Sequence, residues 1–270
     1  MIIIKKSKII VDAFTSNQSV YDYSQLRDSS YSYPEWFKRM PNKYKTDIFL
    51  SPTLKKCVGL QNIYSNGYMI PLWSDLSISI RPEGLKWQYA DNISQAECHD
   101  VKQWEHYTNL ENHYHLKLIT PWRLVCKEDI KFYMIEPSWN YSLEDPLRIL
   151  KGVVDFKHQH STHINMFINK HSFGEYLYNH GTPMYHILPI SERKLTIKHQ
   201  HSTHINMFIN KHSFGEYLYN HGTPMYHILP ISERKLIIKH HLVSEKEIDN
   251  FKNRIKFLDN YKYISRCPFK

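Results

Sequence analysis

The chain has 270 residues, 41% hydrophobic and 23% charged, a balance that excludes both a disordered polymer and a membrane-spanning bundle. Lys and Arg number 35 against 26 Asp and Glu, and the resulting net +9 favours anionic partners through long-range attraction. No run of five like charges occurs, so the excess reads as a solvated cationic surface.

Ile2-Ile3-Ile4 and Ile9-Ile10-Val11 cluster β-branched residues and predict one or two N-terminal strands. Thr15 to Tyr33 is rich in Ser and Tyr and predicts a long loop. Pro34 to Pro41 predicts one helical turn with proline at its start, closed by the second proline. Leu76-Ser77-Ile78-Ser79-Ile80 is apolar at every second position, the pattern of a half-buried strand. Short strands are predicted at Leu85 to Tyr89, His115 to Ile119, Arg123 to Cys126 and Lys131 to Ile135, with Pro121, Pro137 and Pro146 at the breaks.

From Lys157 to Leu195 the sequence recurs without a difference as Lys198 to Leu236, a period of 41 residues. Solenoid units diverge and usually need three or more copies to bury a core. Two identical copies indicate instead a recent tandem duplication or an error of sequence assembly. Each copy predicts strands, in the first at Ile164 to Ile168, Glu175 to Tyr178 and Met184 to Leu188, with a turn at Asn179-His180-Gly181. Removing one period leaves 229 residues, enough for a single domain. Either copy can fill the original place. Surplus strands predict self-association, greater in the full chain than in one lacking 198–238.

Ser244-Glu245-Lys246-Glu247 is a capping box, with Val243 and Ile248 placed as a hydrophobic staple, and Ile248, Phe251 and Ile255 line one helical face. The expected organisation is a single β-rich domain over 1–243, containing the duplication, and a C-terminal helix over 244–262 packed on it. Many short strands at near-regular spacing predict a mainly β fold, a β-sandwich or jelly roll, α+β in detail once the helix is counted.

The segments Asn66 to Asp75, Thr120-Pro121-Trp122, Gly152-Val153-Val154-Asp155 and His180-Gly181-Thr182-Pro183, with Pro34-Glu35-Trp36, resemble an uncharacterised family of hypothetical proteins from tailed phages and some bacteria. The match spans about 34–195. It implies a phage or phage-like source and one β-rich domain, and no transferable activity; the second copy of the repeat has no counterpart in the family. A fainter resemblance, to the dUTPase fold, rests on Gly67-Tyr68, Gly152 to Asp155 and Gly181 to His186. The Arg-Ser-Gly phosphate motif and glycine-rich tail of those enzymes are absent, so the resemblance implies a jelly-roll architecture and no dUTPase activity.

Eighteen histidines invite a metal reading, but six lie in each repeat copy. Gly152 followed after five residues by His158-Gln159-His160 resembles the opening of the cupin metal motif, and an i, i+2 pair on a strand would aim both imidazoles at one face. The glutamate expected four or five residues later is missing, which leaves His163 or His186 as third ligand to a divalent metal. The candidate metal residues are therefore His158, His160 and His186, with His199 and His201 as duplicates of the first two. His113-Tyr114-His115 is a second such pair. Glu97, His99, Asp100, Glu105 and His106 lie within ten residues at spacings that define no common helix or strand face. No nucleophile elbow, P-loop or dinucleotide fingerprint occurs, so no catalytic or cofactor-binding residue is assigned.

Six Trp and 20 Tyr supply core packing and, where exposed, stacking surfaces for sugars or bases. Four dispersed cysteines without a C-x-x-C pair and no signal-like N-terminus predict reduced thiols and residence in a host cytoplasm or a virion. The expected function is that of a phage-encoded accessory or virion-associated binding protein; the alternative is a cupin-like metal-dependent enzyme of oxygenase or isomerase type. The expected partners are a phage or host protein, a glycan or a nucleic acid, and no membrane.

Overall fold

A computed structural model describes residues 8–46, 48–92, 94–104, 110–142, 144–191 and 231–250. The chain opens with strand β1 (Ile9–Thr15), helix α1 (Gln18–Tyr23), strand β2 (Arg27–Asp28) and helix α2 (Glu35–Arg39). A hairpin of β3 (Lys43–Lys45) and β4 (Leu50–Pro52) precedes helix α3 (Val58–Tyr64). Then come β5 (Tyr68–Pro71), β6 (Leu76–Arg81), β7 (Gly84–Tyr89), β8 (Gln95–His99), β9 (His113–Ile119), β10 (Arg123–Cys126) and β11 (Phe132–Ile135). The last strands are β12 (Leu147–Ile149), β13 (Gly152–Val154), β14 (Ile164–Asn169), β15 (Gly174–Tyr178), β16 (Pro183–Pro189) and β17 (Leu236–Leu242). A helix, α4, begins at 245 and continues to 250.

The strands form sheets ordered β10-β1-β17, β13-β11-β16-β5-β2, β12-β14-β9-β8 and β15-β6-β7, with β3-β4 apart. The protein is thus mainly β with helical additions, and no ladder among the described residues closes a sheet into a barrel. Alternation explains the packing: Leu76, Ile78 and Ile80 of β6 and Leu116 and Leu118 of β9 are buried together with Trp122, Phe132 and Phe156 in one core. The Trp122 indole is fully enclosed and its Nε1–H donates to Ser24 O at 3.1 Å, so burial leaves no polar atom unpaired there. A second, smaller cluster of Phe37, Leu60, Tyr64 and Met69 lies between α2, α3 and β5.

Several expectations change. The segment predicted as a loop from Thr15 to Tyr33 contains α1, because the Asn17 side chain accepts from Val20 N at 3.1 Å and caps its first turn. Ile2 to Ile4 and the part of the C-terminal helix beyond 250 lie outside the described residues. The start of that helix has the predicted capping box: Ser244 N–H and Oγ–H both donate to Glu247 Oε2, at 2.9 and 2.8 Å, and Ile248 is buried.

The first repeat copy is not a stacking unit. Its three strands enter three different sheets: β14 between β12 and β9, β15 beside β6, and β16 between β11 and β5. Ile190 and Ile231, equivalent positions of the repeat, pair in an antiparallel bridge. Ser232 N–H donates to Pro189 O at 2.8 Å, and Leu236 to Leu242 then pairs in parallel with all of β1. The described residues on either side of one period therefore stand one strand spacing apart.

Excision of 191–231 should accordingly retain the fold, shifting only residues at the new Ile190–Ser232 joint and leaving Ile237 in β17. Shortening the connection between two such neighbouring ends by one period returns about 1–3 kcal/mol of closure entropy. Urea melts should place the shortened chain at or above the stability of the full one, and sedimentation should show less association. A shortened chain that fails to fold would mean that residues of the second copy are integral to the core.

Candidate functional site

The predicted metal residues do not come together around one point. His158 is exposed on a turn that follows β13, built by Asp155, whose carbonyl accepts from His158 N at 3.0 Å and from Gln159 N at 2.7 Å, and whose carboxylate accepts from Lys157 N at 2.9 Å. The segment is a turn rather than the strand the i, i+2 reading required. His160 is buried beside β10, its Nδ1 3.2 Å from the carbonyls of both Leu124 and Phe156. His186 lies on β16 opposite Met69, shares that residue's face, and stacks on Tyr64 at 6.4 Å. Its Nε2–H donates to Asn66 O at 2.7 Å. Among the described residues no three His, Cys, Asp or Glu side chains are grouped to hold a metal ion.

The pairing of β8, β9 and β14 makes a different histidine cluster. Register sets His99 beside His115 and Glu97 beside Lys117, then His115 beside Phe167 and Lys117 beside Asn165. These residues share the face turned away from Leu116, Leu118 and Met166 of the core. His115 Nδ1 accepts from Trp104 Nε1 at 3.2 Å, and its Nε2 stands 3.2 Å from Asn165 Oδ1, an arrangement that suits the neutral ring with its proton on Nε2. Burial, with His99 and Lys117 nearby, holds its pKa below the usual imidazole value. Glu97 is hydrogen-bonded to Lys117 at 2.6 Å, which holds its carboxyl below the usual range and makes it a poor proton acceptor. Asp100 caps the turn at Lys102 N, at 2.9 Å, and Glu105 and His106 lie outside the described residues. Of the described acids near residue 100, Glu97 and Asp100 are therefore engaged in local structure. Pairing across strands, not spacing along the chain, is what joins His99 to His115.

A third feature escaped the sequence reading. Among the described residues the β3–β4 hairpin pairs with no other strand, and its turn is closed by Thr46 N donating to Phe49 O at 2.9 Å and Phe49 N donating to Thr46 Oγ1 at 3.0 Å. Ile48, Phe49 and Leu50 are 88, 60 and 63% exposed, and Tyr44 is 52% exposed. Thr53 Oγ1 donates to Pro41 O and Lys55 Nζ donates to Lys38 O at 2.8 Å, tying the hairpin base to α2. Met40, Tyr44, Thr53, Leu54 and Lys56 line a groove of about 580 Å³ there. Lys38, Arg39, Lys43, Lys45, Lys55 and Lys56 all fall in this stretch. Because they are interleaved with apolar residues, a search for unbroken charge runs passes over them.

A second trough, of about 690 Å³, crosses β6, floored by Ser77 and Ser79 between the Arg81–Glu175 ion pair, 2.7 Å, and Lys86 and Gln88.

Fold and surface together define a mainly β protein with a C-terminal helix, a histidine cluster on one sheet and a basic, apolar hairpin. No protein-family model and no curated protein matches the chain. Among solved structures, a mutant dUTPase from phage phi11 of S. aureus is similar over 50% of this chain and 84% of its own, at 14% identity and a TM-score of 0.28.

Proposed function

We propose that this is a β-rich binding protein, an accessory or virion-associated protein of a phage as the sequence resemblance implies, acting in a host cytoplasm or virion through its protruding hairpin and without turnover. The observation that carries this reading is the exposure of three consecutive large apolar side chains, Ile48, Phe49 and Leu50, beside a groove. Exposed apolar surface concentrated in this way marks an interaction site more often than a scaffold feature. A cupin-like metal-dependent enzyme at His158, His160 and His186 remains the competing reading, supported by the i, i+2 spacing of the first two residues.

Metal analysis of the full chain, purified without an affinity His-tag or chelator, separates the two. The binding reading expects substoichiometric iron, zinc and manganese. One metal per chain that disappears when His158, His160, His199 and His201 are all changed to Ala would replace it with the enzyme.

A further inference from the structure

Resting on the reading of the hairpin as a binding surface, we propose that its occupant is single-stranded nucleic acid. Residues 35–58 carry six cationic and two acidic side chains, a net +4 out of the chain's +9. Of the acids, Glu35 is already occupied, 2.7 Å from Lys38 Nζ and 3.9 Å from Arg39 Nε. Lys43, Lys45 and Lys56 have no ion-pair partner among the described residues. Such a surface attracts a polyanion and gains further from release of its counterions.

Aromatic rings stand among these cations. Tyr44 follows Lys43 and precedes Lys45 on β3, opposite Ser51, so the lysines share one face and the phenol ring takes the other, where it lines the groove. Phe49 is exposed at the turn, and Trp36 of α2, partly exposed, is fixed by its Nε1–H donating to Trp139 O at 2.9 Å. Rings with a free face are stacking platforms for bases, and lysines spaced between them neutralise the connecting phosphates. Stacking of this kind needs unpaired bases, which a duplex hides, and that selects the single strand. An anionic bilayer is disfavoured because the sequence puts an acid, Asp47, immediately before Ile48, the most exposed apolar residue among those described.

The test is fluorescence anisotropy of a labelled dT20 oligonucleotide with the full chain, at 50 and 200 mM KCl. If four phosphates are neutralised, affinity falls about 50-fold between the two salts, from a slope near −0.7 per contact. The Lys43→Gln/Lys45→Gln variant should make that slope shallower by about 1.4. Tyr44→Ala should weaken binding roughly 5- to 150-fold, the range for one lost base stack, and leave the slope unchanged. Lys86→Gln, an exposed cation on β7, should change neither. All these side chains are exposed, so unchanged melting curves will confirm that the variants are folded.

No dT20 binding at 50 mM, equal affinity for a 20-base-pair duplex, or equal loss in Lys86→Gln would overturn the proposal. Adsorption to vesicles of 70% phosphatidylcholine and 30% phosphatidylserine that Phe49→Ser abolishes, without dT20 binding, would also overturn it and assign the hairpin to a bilayer. That last result would leave the binding reading standing, and the metal analysis decides that reading independently.

Discussion

Alanine at Gly67 should lower stability by about 2–5 kcal/mol although it adds a single methyl group. Gly67 joins α3 to β5 with φ of +83°, a region that costs an L-residue about 1–2 kcal/mol. A Cβ there would stand 2.1 Å from Ile187 O, 2.9 Å from Leu188 Cδ2 and 3.0 Å from His186 Nε2. The carbonyl cannot withdraw cheaply, since Ile187 belongs to β16, held between β11 and β5 by pairing with Met134 and Tyr68. Nor can the turn move freely: Ser29 Oγ is within hydrogen-bond reach of the carbonyls of Tyr64 and Asn66, and Gly67 O accepts from Ser29 N at 3.1 Å. Forced shifts in packed regions typically cost about 1–3 kcal/mol beyond the backbone strain. Gly181→Ala is the control, because Gly181 has a φ of +85° and no described atom lies within 4 Å of an added Cβ, and that variant should lose only the strain. Equal losses in urea melts of the two variants would show that the close approach to β16 is not what requires glycine at 67.

The elements that could be read in the sequence are those with one wet and one dry face. Strand β6 follows its alternation of apolar and Ser residues, whereas Arg123–Cys126, buried at three of its four residues, is set off by the break at Pro121 and begins and ends where the residues predict. At Asn179-His180-Gly181 the predicted turn is closed by Thr182 N donating to Asn179 O at 3.0 Å. Helices α1 and α3, of six and seven residues, are too short to display a 3.6-residue period, and only the Asn17 cap betrays the first. Strands β3 and β4 bury almost nothing, so no alternation marks them. At the site level the difficulty was register. The neighbours His99 and His115 are brought together by a β8–β9 ladder that no spacing rule encodes. His158 and His160 have the spacing of a ligand pair, but the turn built by Asp155 replaces the strand, so that His158 is exposed and His160 is buried against Leu124 and Phe156.

Acidification from pH 7.5 to 4.5 should destabilise the protein steeply, and His186 should account for a definable part of the loss. The residue is 1% exposed; its Nε2–H has the Asn66 carbonyl, its Nδ1 has no hydrogen-bond partner, and the Tyr64 ring stacks beside it. A proton added at Nδ1 would create a buried, unpaired cation, so burial pushes the pKa of His186 down to about 4. His163 and His240 are also held at about 4, chiefly by burial, the first with Arg123 and Lys117 adding repulsion. In the unfolded chain these rings titrate near 6.5, so between about 6.5 and 4 the unfolded state binds more protons and stability falls as the pH falls. For His186 alone the loss by pH 4 is on the order of 3 kcal/mol. Glu136 works in the opposite sense, since burial raises its carboxyl and its charged form is the costly one, but one carboxyl opposes three imidazoles. His186→Phe keeps a ring against Tyr64 and gives up the bond to Asn66, so it should be less stable than the parent at pH 7.5 yet lose less on acidification. Denaturation midpoints at pH 7.5, 6.0 and 4.5 measure both effects: the variant's dependence should be shallower by up to one proton within the window. Parallel curves for variant and parent would mean that His186 is not held neutral by the fold, and that the acid sensitivity originates at the other histidines.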